Sequence, residues 1–230
     1  HDWHVGMIPV MLRSQYCRAP WCSTIKTLCT IHNLEYQGIF PQNVLGDMFN
    51  LDHDAKAVKG LEFYGMINFL KGGLEYADYI GTVSPSYARE IQTRYWGEKL
   101  DGVLARRSDR LVGIVNGIDN ELYSPAKDAA LFANFSTRSL KGKAVNKSRL
   151  QESLGLEQKA DAMLSGIVSR LVKAKGFELV QRVLDEILAE NVQLVVLGTG
   201  DPHFQDVFRD AARRYPGRVS TNIGYDDTLA

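Results

Sequence analysis

Val168-Ser169-Arg170-Leu171-Val172-Lys173-Ala174-Lys175-Gly176 sets two or three cations where an apolar run meets a helix. Before it, Ala162-Met163-Leu164-Ser165-Gly166-Ile167-Val168 reads as a buried strand. After it, Phe177, Leu179, Val180, Val183, Leu184 and Ile187 recur at helical spacing. In open α/β sheets the ligand crevice lies beyond the carboxyl ends of the strands, where the following helix presents free N–H groups and the positive end of its dipole. Strand, basic turn and helix in that order predict an anion site, with a phosphorylated ligand as its natural guest.

The same alternation continues outward. Toward the carboxyl end the pattern predicts a helix over 177–190, a strand over 193–197, a loop Gly198-Thr199-Gly200-Asp201-Pro202, a helix over 203–215 and a strand over 218–223. Toward the amino end it predicts a helix over 5–12 and a strand over 26–31, closed by the polar run His32-Asn33-Leu34-Glu35-Tyr36-Gln37-Gly38. Residues 40–58 read as irregular, and 61–76 as one helix weakened by Gly65, Gly72 and Gly73. A strand over 79–83 then meets Ser84-Pro85, where serine can cap a helix and proline suits its first turn. A further strand over 111–115 ends in Asn116-Gly117-Ile118-Asp119, a turn of residues that tolerate positive φ. The pattern lapses over 120–127 and resumes with a polar helix carrying Lys141, Lys143, Lys147 and Arg149. These elements predict an α/β protein with parallel sheets covered on both faces, a junction near 118–125, and domains over 1–120 and 121–230.

Composition narrows the function classes. At 230 residues, 45% apolar and 23% charged, the chain can bury one large or two small cores, which excludes disorder. Lys plus Arg equals Asp plus Glu at 27 each, so no global field attracts nucleic acid or an anionic membrane, and an anion site must be local. The longest apolar runs fall far short of the roughly 20 residues that span a bilayer, and no signal-like segment opens the chain, so the default is a soluble cytoplasmic protein. Cys17, Cys22 and Cys29 are odd in number and match no zinc or redox spacing; they read as small buried or free thiols. No carboxylate cluster implies a metal. The opening His1 and the stop just after a strand lead to the expectation that both ends are cut.

Seven segments in order resemble the bacterial glycogen synthase and plant starch synthase family. They are His1-Asp2-Trp3-His4, Thr30-Ile31-His32-Asn33 with Tyr36-Gln37-Gly38, Gly60-Leu61-Glu62-Phe63-Tyr64-Gly65, Thr82-Val83-Ser84-Pro85, Asn116-Gly117-Ile118-Asp119, Ser169-Arg170-Leu171 with Lys175-Gly176, and Gly198-Thr199-Gly200-Asp201. The resemblance spans essentially the whole chain. It implies a GT-B arrangement, two Rossmann-like domains with the active site in the cleft between them. It also implies transfer of glucose from ADP-glucose to the non-reducing end of an α-1,4-glucan with retention of configuration. Neither a cofactor nor a metal is implied, since the nucleotide sugar is a substrate; a homo-oligomer is an open possibility.

Carried over residue by residue, the resemblance puts the two donor-phosphate cations on Arg170 and Lys175, where the strand–turn–helix pattern already expects an anion. Negative charge grows on the diphosphate as the glycosidic bond breaks, and fixed cations in a dry site stabilise it better than water does; losing one such partner typically costs about 2.7–4 kcal/mol of barrier. Solvated surface lysines are the alternative for Lys173 and Lys175. His32 matches the histidine set against the donor glucose, there to orient the sugar rather than to act as a general base, and Asp2 matches another polar residue of the cleft. Asn116 suits a sugar or phosphate contact, or is a plain turn asparagine. Gly198 and Gly200 allow close approach of the donor, or only a tight turn. Tyr225 matches an aromatic that stacks on the nucleobase, or is an ordinary surface tyrosine.

Departures from the family pattern are also visible. An amino-terminal Lys-x-Gly-Gly loop and a carboxyl-terminal glutamate signature fall outside the chain, so the fragment alone is expected to be inactive. Val172 and Ala174 stand where polar residues are common, and Lys59 precedes Gly60 where histidine or aspartate is often seen. Two other readings compete with the transferase. A nicotinamide-dependent oxidoreductase is disfavoured because the G-x-G-x-x-G fingerprint fails at its third glycine, where His203 stands. A noncatalytic glucan- or nucleotide-binding module is the other.

Overall fold

Short parallel strands joined by helices organise the chain. In the computed structural model, which describes residues 1–230, they gather into two compact units, His1–Gly117 and Ile118–Ala230.

The first unit opens on a 3-10 turn at Trp3–Val5, followed by α1 (Met7–Arg13), a second 3-10 turn at Pro20–Thr24 and β1 (Leu28–Ile31). Next come β2 (Ile39–Phe40), α2 (Asn43–Phe49), α3 (Ala55–Leu61), β3 (Glu62–Phe63), β4 (Met66–Asn68), α4 (Phe69–Tyr76), β5 (Tyr79–Thr82), α5 (Pro85–Glu90), α6 (Asp101–Arg106) and β6 (Leu111–Gly113). The main sheet is parallel in the order β1-β5-β6, with Cys29 opposite Ile80 and Ile80 opposite Leu111. Its core is built from Cys29, Ile31, Leu70, Leu74, Ile80, Leu100 and Leu104. Ser84 caps α5 as its chemistry predicts, its hydroxyl accepting the N–H of Tyr87 at 2.9 Å with Pro85 in the first turn.

Two stretches depart from the sequence expectation. Residues 40–58 are not irregular: they carry α2 and most of α3. Each helix has seven residues and buries only one or two side chains, Leu45 in α2 and Ala57 and Leu61 in α3, too few to show a helical stripe. The single helix expected over 61–76 is instead a hairpin followed by α4. Tyr64 (φ 50°) and Gly65 (φ 82°) make its two-residue turn, and positive φ at both central positions is what the favoured hairpin turn requires. Asn68 then starts α4, accepting the N–H of Lys71 at 2.9 Å; its amide donates to Gln37 at 2.5 Å, and Gln37 donates to the Glu98 carbonyl at 2.9 Å. The stretch after β6 differs as well: the strand expected over 111–115 stops at Gly113, and no turn is formed over 116–119, where no residue uses the positive φ that these residue types tolerate.

Burial sets the chemistry of Cys29. Desolvation in the core pushes its thiol up from 9.0 to about 11. The unfolded thiol ionises near its ordinary value, so this group's contribution to stability is complete below pH 9 and is lost as pH rises to about 11. We expect the denaturation midpoint to fall across that window, and a thiol reagent to modify exposed Cys17 at once but Cys29 only on unfolding. Equal labelling rates at the two positions would contradict the burial argument.

The second unit contains α7 (Lys141–Ser153), β7 (Met163–Val168), a 3-10 turn at Lys173–Lys175, α8 (Phe177–Ala189), β8 (Val192–Gly198), α9 (Pro202–Arg214) and β9 (Val219–Ile223). The sheet is parallel in the order β7-β8-β9. Central β8 is buried along nearly its whole length, and Phe177, Leu184, Leu188, Val196, Phe204 and Phe208 fill the core. The strand expected to be buried before the basic turn lies at the sheet edge, which leaves Met163 and Val168 more than half exposed. The stripe on α8 likewise divides: Phe177, Leu184 and Leu188 face the core, while Leu179 is exposed. No helix in either unit is long and apolar enough to cross a membrane.

Candidate functional site

In both units the polar residues singled out in the sequence stand at the carboxyl ends of parallel strands. His32 follows β1 directly and is exposed. Its backbone N–H donates to Asp2 Oδ1 at 2.8 Å, while the Asp2 N–H donates to the Thr30 carbonyl at 2.8 Å. Asp2 thus extends the end of β1, and it does so with a left-handed φ of 54°, uncommon for a residue other than glycine. His1 Nδ1 lies 2.8 Å from His32 Nε2, so one of the two rings donates to the other. Asn116 is exposed, three residues beyond the last residue of β6 on the other side of β5. The carboxyl edge of one sheet therefore carries Asp2, His32 and Asn116.

In the second unit the chain leaves β7 through Ser169-Arg170-Leu171 and lies against the end of β8. The Ser169 N–H donates to Leu197 O (3.1 Å), Leu171 N–H to Thr199 O (2.9 Å) and Asp201 N–H to Leu171 O (2.8 Å). Gly198 and Gly200 make this crossing possible. A Cβ at Gly198 would sit 1.9 Å from Ser169 O, and one at Gly200 2.5 Å from Leu171 O. Their missing side chains face the chain's own backbone, a reason absent from both sequence readings of these glycines.

The crossing opens a cavity of about 240 Å³ lined by Arg170, Gly198 and Tyr225, together with Ser169, Thr199 and Asp226. Arg170 and Lys175 are exposed, and neither pairs with a carboxylate; Lys173 is paired with Glu178 at 3.3 Å. Two of the three expected cations are therefore uncompensated. Lys175 does not line the cavity; it stands two residues before the start of α8, whose amino end has no side-chain cap. The amino end of α9 is closed instead by Asp201, which accepts the His203 N–H at 2.9 Å. Tyr225 is 85% exposed and donates to Asp227 at 2.5 Å, a bond that holds its phenol above the ordinary range and keeps it protonated.

Ser169 and Thr199, given no role of their own in the segments that contain them, and Gly224 and Asp226, which no segment contains, also line this cavity. All four lie just beyond the carboxyl ends of β7, β8 and β9, so the strand-end rule that found Arg170 could have found them.

Parallel sheets, polar strand ends and an uncompensated basic turn beside a cavity define an α/β protein with a candidate anion site at the strand ends of its second unit. Residues 1–106 match the family described as starch synthase catalytic domain. The chain is 49% identical over all 230 residues to the glycogen synthase of Alkaliphilus metalliredigens, covering 48% of that protein. It is 47% identical over its whole length to that of Thermotoga maritima, covering 47% of it. Among solved structures, the catalytic domain of starch synthase IV from Arabidopsis thaliana, bound to ADP and acarbose, superposes with a TM-score of 0.88 at 31% identity, over all of this chain and 48% of that one. The chain belongs to the glycogen synthase and starch synthase family, with the GT-B fold, and spans about half the length of the curated relatives it matches.

Proposed function

We propose that this chain is part of a retaining glucosyltransferase that moves glucose from ADP-glucose to the non-reducing end of an α-1,4-glucan. The observation that carries the reading is the cavity joining Arg170, Gly198 and Tyr225, with Arg170 and Lys175 both free of acidic partners. A diphosphate supplies the missing charge. The guanidinium clamps it in two places and the ammonium acts as a point charge, aided by the positive end of α8. Tyr225 stacks on the nucleobase, while Gly198 and Gly200 let the chain pass close by. As the bond to the anomeric carbon breaks, the electron pair leaves with the diphosphate, where the two cations meet the growing charge.

The first unit holds the sugar. His32, steadied by Asp2, contacts a glucose hydroxyl while the anomeric carbon acquires oxocarbenium character, and Asn116 adds a polar contact. The related starch synthase was solved with ADP and acarbose, which supports a nucleotide donor and a glucan acceptor here. Nothing in this assignment requires a metal or a cofactor, and it implies a cytoplasmic enzyme.

The direct test is incorporation of glucose from labelled ADP-glucose into glycogen by the full-length protein that contains this chain. Saturable NADH binding without glucose transfer would overturn the assignment in favour of an oxidoreductase. His32→Ala is expected to lower transfer by about a hundredfold and ADP affinity by less than about threefold. Equal losses in both would remove His32 from the sugar site.

A further inference from the structure

The first unit contains a second cavity, about 860 Å³ and open to solvent, between α3, α4 and α6. Six cations line it, Arg13, Lys56, Lys59, Lys71, Lys99 and Arg106, against a single carboxylate, Glu75. That carboxylate is already engaged by Arg106 at 2.6 Å, and Arg13 is held by both oxygens of Asp78 at 2.8 and 2.9 Å. None of the four lysines has a carboxylate partner. Lys71 donates to the Glu62 carbonyl at 2.5 Å, and the Lys99 ammonium lies 5.2 Å from the centre of the Tyr64 ring. Lys56 and Lys59 are exposed one turn apart on α3.

The chain as a whole has as many acids as bases, so composition does not account for this concentration of charge. Like charges one turn apart on a helix destabilise it, and a concave wall of one sign focuses its field on whatever enters. The framework is tied together: the Tyr76 hydroxyl at the end of α4 donates to the Lys56 carbonyl in α3 at 2.7 Å, so these walls stay in place when the cavity is empty. The cavity has the volume of small-molecule sites. Flexible ammoniums around it suit several separated anionic groups.

We propose that this cleft is a binding site for a small metabolite carrying two or more phosphate groups, separate from the donor site. Asp78, which anchors Arg13, immediately precedes β5, so the cleft reaches the amino end of the sheet whose carboxyl end carries His32. The ligand's phosphates replace the missing carboxylates of Lys56, Lys59, Lys71 and Lys99.

Calorimetric titration of the full-length protein that contains this chain with fructose 1,6-bisphosphate tests this. Saturable binding is expected, weakening as salt is raised from about 50 to about 300 mM. It should weaken by about tenfold or more in Lys59→Gln/Lys71→Gln and stay unchanged in Arg170→Ala/Lys175→Ala. Removing two mutually repelling charges should leave the unliganded thermal midpoint unchanged or higher. Absence of saturation at about 5 mM ligand, at the weak end of metabolite affinities, would overturn the proposal. So would loss of binding confined to the Arg170/Lys175 variant, or citrate binding as tightly as the bisphosphate.

Discussion

Alanine at Arg170 or at Lys175 lowers turnover of the full-length protein by at least about a hundredfold and leaves its thermal midpoint within about 2 °C. The size of the loss follows from where charge develops. The bound nucleotide sugar is already anionic and gains something from these side chains, but the departing diphosphate carries more charge and gains more, so the larger part of the effect falls on the chemical step. The small thermal effect follows from the structure, since both side chains are exposed and have no protein partner to lose. Steady-state release of ADP with a glucan primer measures the first quantity and a melting curve the second. A drop in stability matching the drop in turnover would make the two residues structural and leave the anion site without its cations.

Gly198→Ala should be the most damaging single-methyl change in the second unit. The new Cβ would lie 1.9 Å from Ser169 O, closer than any real contact, and the obstacle is backbone on both sides. Either β8 shifts against β7 or the Ser169–Leu171 crossing lifts away, and overpacking of this kind costs about 1–3 kcal/mol or more. A fall in melting temperature on the order of 10 °C is expected. ADP affinity should fall with it, because the crossing that moves carries Arg170. Gly166→Ala in β7 is the control: its Cβ would meet nothing within 4 Å, and the change should stay within about 0.5 kcal/mol. Comparable losses at both positions would show that strand propensity, and not the close approach, governs Gly198.

The second unit was the more legible of the two in sequence. Its strands and helices are long enough to carry a period, with 13 residues in α8 and seven in β8, and each expected element is present to within two residues at either end. The first unit hid its middle. There α2, α3 and the β3–β4 hairpin are two to seven residues long, and a glycine that looks like a weak point in a helix is the turn of a hairpin. Local pattern cannot separate these cases, because the hairpin is held by β2 pairing with β4 and by the Asn68–Gln37–Glu98 chain of hydrogen bonds, contacts that span 31 and 61 residues.

The site shows the same division. Composition and order alone determined that apolar strands would end in polar residues, and that Arg170 and Lys175 would stand between a strand and a helix, since both depend only on neighbours along the chain. Tertiary structure alone decided that Asp2 extends the end of β1 beside His32, that Gly198 is demanded by a backbone crossing, and that lysines from positions 56 to 99 share a concave wall with Arg13 and Arg106. The physical reason is range. Propensity and periodicity act over one or two turns, whereas a crossing or a cleft is set by which faces the hydrophobic core brings together.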